Sequence, residues 1–135
     1  MAATHGAPAP HFATAGVVLE ALAARDFGRL ASAIAPDGTM DALLPRGLRA
    51  CRGHVEIRTA FEDWFGDTTE FQVADASVGN VGPVLQLRWR LVVLKPAWGE
   101  QRHVVEQQAF AFMGESGLVQ RLSLVCSGFQ ECDGG

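Results

Sequence analysis

The feature that most constrains this chain is a change of hydrophobic period at Gly66. Before it, apolar residues recur at helical spacing; after it they alternate with polar ones almost to the C-terminus. Helices followed by a run of strands make an α+β architecture, with the helices laid on one face of a curved antiparallel sheet. At 135 residues the chain is one domain by length. We place that domain at 10–130, between an Ala-, Gly- and Pro-rich tail at 1–9 and a short tail at 131–135.

Pro10 suits a first helical turn, and residues 11–25 keep Phe12, Ala15, Leu19, Leu22 and Ala23 at helical spacing. Asp26 is placed to cap a second short helix, 27–35, ending at Pro36. Residues 39–44 read as a strand with Met40, Ala42 and Leu44 on one face and Asp41 on the other. PRGLRACR, 45–52, reads as a basic loop, and GHVEIRTAFEDWFG as a helix with the stripe Ile57, Ala60, Phe61, Trp64, Phe65. Beyond Gly66 the alternation predicts a strand from Phe71, a long strand at 84–94, another at 101–113 and a last one at 118–126. In the second of these, Leu85, Leu87, Trp89 and Leu91 face the core while Gln86, Arg88 and Arg90 face out.

The strand QRHVVEQQAFAFM, 101–113, decides the functional question. Its aromatics belong in a core, which turns Val104, Glu106, Gln108, Phe110 and Phe112 inward together. A buried carboxylate is costly unless paired, protonated or used, so Glu106 becomes the candidate general acid or base. Gln108 becomes the candidate donor to a ligand carbonyl. Trp64 and Trp89 are candidate pocket walls; Phe61, Phe110, Phe112, Met40 and Cys126 are candidate ligand contacts within a largely apolar core. Arg46 and Arg49 sit where they could close over an anion, although a solvated loop charge explains them equally well. His54 and His103 are expected at the surface or an interface.

In order and spacing, ALAARDFGRLASAIAPDGTMD (21–41), RGHVEIRTAF (52–61), VLQLRWRL (84–91) and FAFMGESGLVQRL (110–122) resemble the NTF2-like superfamily. Within it they resemble the ketosteroid-isomerase and SnoaL-like polyketide cyclase group. The resemblance implies a cone-shaped fold with a pocket between the sheet and the third helix, and a homodimer through the outer sheet face, here Arg88 and Arg90. Matched residue by residue, it also argues against 3-oxo-steroid isomerisation. The aspartate base falls on Ala42, the oxyanion tyrosine on Val18, its protonated aspartic acid partner on Gln108 and a further pocket tyrosine on Phe61; the chain has no Tyr. The Asp–Arg–Asp set of epoxide hydrolases of this fold and the His–His–Asp set of its dehydratases are not matched either.

Charge and cysteine usage narrow the partners. A net charge of −4 without a basic run argues against nucleic acid. No apolar run reaches the roughly 20 residues that span a bilayer, so no membrane association is expected. The start lacks the basic region of a secretory signal, and the three cysteines are odd in number, which reads as a cytoplasmic protein with reduced thiols. No metal-ligand spacing and no phosphate loop occur, so neither metal nor cofactor is expected. What remains is a SnoaL-like pocket for a small apolar, polyketide-like or polycyclic molecule, acting as a cofactor-independent cyclase, isomerase or dehydratase. The alternative is a non-catalytic hydrophobic-ligand binder or a dimeric association module.

Overall fold

The computed structural model describes residues 9–132. The expected N-terminal tail at 1–8 and residues 133–135 lie outside the described residues, as do the side chains of 9–11. The helices are α1 (Ala9–Ala23), α2 (Phe27–Ser32) and α3 (His54–Phe65). The strands are β1 (Ile34–Leu44), β2 (Gly47–Arg52), β3 (Glu70–Val81), β4 (Val84–Leu94), β5 (His103–Met113), β6 (Val119–Cys126) and β7 (Gln130–Glu131).

The sheet runs β2-β1-β6-β5-β4-β3, with β7 beside β5. Its neighbours are antiparallel except β1 and β6, which run parallel. That pair joins the early β1–β2 hairpin to the late β3–β6 meander, so α3 becomes the crossover lying against the sheet.

Several boundaries differ from the periodicity. Asp26 caps α2 as expected, its carboxylate accepting from Arg29 N at 3.0 Å. The helix nevertheless stops at Ser32, and β1 starts at Ile34, taking in Pro36. The basic stretch expected to be a loop is instead an edge strand, β2, in a hairpin with β1 that alternates Leu48 outward and Cys51 inward. At the other end, Gln130 and Glu131 pair with Val104 and His103, so the expected C-terminal tail at 131 is ordered sheet at its start.

The core lies between the sheet and the helices. Leu22, Phe27, Leu30, Ile57, Phe61 and Phe65 from the helices meet Met40, Ala42, Leu85, Leu87, Trp89, Leu91 and Leu124 from the strands. Phe61 packs against Phe27 and edge-on against Trp64, at ring centroid separations of 6.2 and 5.1 Å.

The inward face of β5 is the reverse of the sequence expectation. Val105, Gln107, Ala109 and Ala111 are buried, while Glu106, Gln108, Phe110 and Phe112 stand on the outer face. The cause is volume matching with β4. Register places Leu85 opposite Ala111, Leu87 opposite Ala109 and Trp89 opposite Gln107. Leu85 and Leu87 leave room only for small residues beside them at core packing density, and Trp89 meets Gln107, whose amide takes its indole N–H. The phenylalanines find cover outside, Phe112 under the Arg121 guanidinium at 4.7 Å.

Candidate functional site

One cavity of about 560 Å³ opens at the end of the sheet that carries the β1–β2 turn. Each wall follows from local chain geometry. The turn contributes Leu44, Pro45 and Arg46, and the last turn of α3 contributes Trp64 and Phe65. A 3-10 turn at Pro96–Trp98 contributes Trp98, and the start of β5 supplies His103 and Gln107. The segment leaving β6, Cys126 to Gln130, closes the remaining side.

That last segment is positioned by contacts on several sides. Gly128 adopts φ +78°, and a Cβ there would lie 2.7 Å from Pro45 Cγ, so the backbone passes the turn where only glycine fits. Phe129 then meets Trp98 at 5.2 Å and Phe65 at 6.1 Å. The Lys95 ammonium lies 4.6 Å from the Phe129 ring while pairing with Asp67 at 3.2 Å. The Ser127 hydroxyl accepts from Glu106 N and donates to Gly128 O, which occupies it within the protein.

The polar centre of the cavity is Gln107, only 1% exposed. The Trp89 indole N–H donates to Gln107 Oε1 at 2.8 Å. An indole nitrogen is only ever a donor, so this bond settles which end of the amide faces Trp89 and turns the NH₂ away from it. Gln107 Nε2 is buried and has no partner among the described residues. A buried donor left unpaired costs on the order of 1–3 kcal/mol, so such a group is satisfied by a water, an ion or a ligand.

His103 is the cavity's imidazole. Its ring packs on Trp98 at a centroid separation of 3.8 Å, and Nδ1 lies 3.2 Å from the Gln101 carbonyl oxygen. A carbonyl only accepts, so Nδ1 is the donor in this contact. His103 and Gln107 lie on the same face of β5, about 13 Å apart along the strand at its usual rise.

The expected site residues divide accordingly. Trp64 and Cys126 lie on the cavity wall. Trp89 is buried behind it and orients Gln107. Met40 is core, and Phe61 borders only a void of about 10 Å³ shared with Val18 and Leu30, too small for a ligand. Gln108, Phe110 and Phe112 are on the outer face, a correction that follows from the β4 register.

Glu106 requires the same correction. Its side chain is 40% exposed, and it pairs with Arg90 at 3.1 Å and Arg88 at 3.6 Å. Arg88 pairs in turn with Asp75 at 2.7 Å, and that guanidinium holds the Asp75 carboxyl below its ordinary range. This is a charge ladder on the outer sheet face, and Glu106 does not line the cavity, although its backbone N–H bonds the cavity-wall Ser127.

The residues that sequence reasoning missed are Gln107 and His103. Both sit on the odd face of β5, and the available signal was the odd-numbered apolar face of β4 next to it. No group of three or more potential metal ligands occurs among the described residues.

No protein-family model matches the chain, and no curated protein sequence does. Solved structures do. A provisionally named polyketide cyclase from Xanthomonas campestris pv. campestris superposes with a TM-score of 0.72 at 16% identity, over 88% of this chain and 91% of that one. An epoxide hydrolase of the LEH-like type from M. tuberculosis gives 0.64 at 15% identity, over 88% and 84%. An NTF2-like protein of unknown function from Cytophaga hutchinsonii gives 0.57 at 13%, over 84% and 87%.

The chain has the NTF2-like fold. At these identities the likeness carries architecture and no chemistry, because NTF2-like folds host unrelated sites. The expected isomerase base position is indeed an inward Ala42, buried on β1. The inward polar group that this NTF2-like sheet presents on β5 is Gln107, one residue from the position where the resemblance put it. No helix among the described residues is long and apolar enough to cross a membrane.

Proposed function

We propose that this NTF2-like domain binds a planar, largely apolar carbonyl compound in the cavity at the β1–β2 end of the sheet. The observation that carries the proposal is the buried, unpartnered Gln107 Nε2, held in orientation by Trp89. A carbonyl oxygen supplies the acceptor that this donor lacks. The aromatic walls, Trp64, Phe65, Trp98 and Phe129, favour a flat ring system. A volume of about 560 Å³ is in the range of small-molecule sites and suits two or three fused rings. Polyketide cyclases and epoxide hydrolases among the structural neighbours are consistent with a small-molecule role for the fold.

The test is calorimetric titration with 2-acetylnaphthalene, which offers a flat apolar body and one carbonyl acceptor. Binding that weakens about ten-fold in Gln107→Leu, the worth of one hydrogen bond in a dry site, supports the assignment. Equal affinity for wild type and variant removes it.

A further inference from the structure

The cavity lining contains no carboxylate, although the chain as a whole is acidic at −4. Its one permanent charge is Arg46, exposed at the mouth in the β1–β2 turn. Most arginines of this protein are engaged. Arg49 pairs with Asp63 at 2.9 Å, Arg58 with Glu62, Arg88 with Asp75, Arg90 with Glu106, Arg102 with Glu70, and Arg25 donates to Thr68. Arg46 has no ion pair among the described residues, and it is held beside an apolar, aromatic opening. The lining thus combines an exposed guanidinium, Arg46, with one deeply buried amide, Gln107, whose Nε2 has no partner among the described residues, and with aromatic walls.

We infer that the ligand class is a planar aromatic carboxylic acid carrying a second, neutral acceptor oxygen at its far end. This rests on the proposed cavity site and specifies its ligand. The neutral oxygen goes to Gln107 Nε2, where a charge would lose too much hydration. The carboxylate goes to Arg46, whose planar guanidinium accommodates two oxygens while both groups keep part of their water.

The probes are 6-acetyl-2-naphthoate and its methyl ester, which differ in the charge at one end and share the acetyl group at the other. Each is titrated calorimetrically into wild type, Arg46→Gln and Arg52→Gln. Arg52 is also an arginine without an ion pair among the described residues, but it lies at the opposite end of β2, so its variant matches the change in net charge away from the cavity.

The expected result is an acid that binds wild type and Arg52→Gln about five-fold more tightly than the ester, the scale of a half-solvated ion pair. In Arg46→Gln the two probes bind alike. Thermal melts check that the Arg46 variant is folded, as an exposed turn substitution should be. If ester and acid bind wild type equally, the acid class is wrong while the cavity site stands, and if the preference survives in Arg46→Gln, the assignment of the carboxylate to Arg46 is overturned. If neither probe binds wild type, the site assignment fails and the acid class falls with it.

Discussion

Replacing Gln107 by leucine separates a binding role from a structural one because the two predict different stabilities. In the unliganded protein Gln107 makes one buried hydrogen bond, Trp89 Nε1 to Oε1 at 2.8 Å, and leaves Nε2 without a partner. Leucine removes the unpaired donor, a gain of about 1–3 kcal/mol, and buries an apolar side chain among Trp89, Ala109 and Val105. It also strands the Trp89 N–H, a cost of about the same 1–3 kcal/mol. The opposing terms leave the variant within about 1 kcal/mol of wild type. In urea that is a midpoint shift of less than about 1 M at the slopes usual for small domains. Ligand affinity should fall about ten-fold in the same protein, giving lost binding without lost stability, the signature of a group kept for function. A stability loss above about 3 kcal/mol would refute the reasoning, since it would mean that the amide satisfies partners in the folded protein on its own account.

Three other outcomes follow from the same geometry. Glu106→Gln should leave binding of 2-acetylnaphthalene unchanged and shift the urea midpoint by less than the equivalent of about 1 kcal/mol, because its ion pairs are exposed and screened. Burial raises the Cys51 thiol pKa, with Arg49 opposing the shift, so the folded state favours the neutral thiol. Stability from this group is complete below the unfolded thiol value of about 8.5 and is lost as pH rises through the higher folded value. Urea midpoints from pH 7 to 10 should therefore fall more steeply for wild type than for Cys51→Ala. Gly128→Ala puts a Cβ against Pro45 at a positive φ and should cost about 1–3 kcal/mol in chemical denaturation. A variant as stable as wild type would show that the segment closing the cavity is not held by that close approach.

The sequence by itself determined most of the element types and much of the core. The run of strands after Gly66, the Ile57–Phe65 stripe on α3 and the odd-numbered apolar face of β4 depend on hydrophobicity repeating at the backbone's own spacing, and all three appear in the structure, although β1 and β2 already precede Gly66. The order of motifs also led to the NTF2-like fold. Tertiary structure decided the face of β5. Strand periodicity says that alternate residues share a side but not which side, and a slip of one residue exchanges the two sets. Hydrophobicity alone favours the phenylalanines as the inward set, yet Leu85 and Leu87 pair with Ala111 and Ala109, and Gln107 comes inward opposite Trp89. That inversion moved Glu106 to the surface and gave the cavity an amide and an imidazole instead of a carboxylate. The cavity's position was equally hidden. It depends on Trp98, Phe129 and Pro45 meeting across segments distant in the chain, and only the folded packing brings them together.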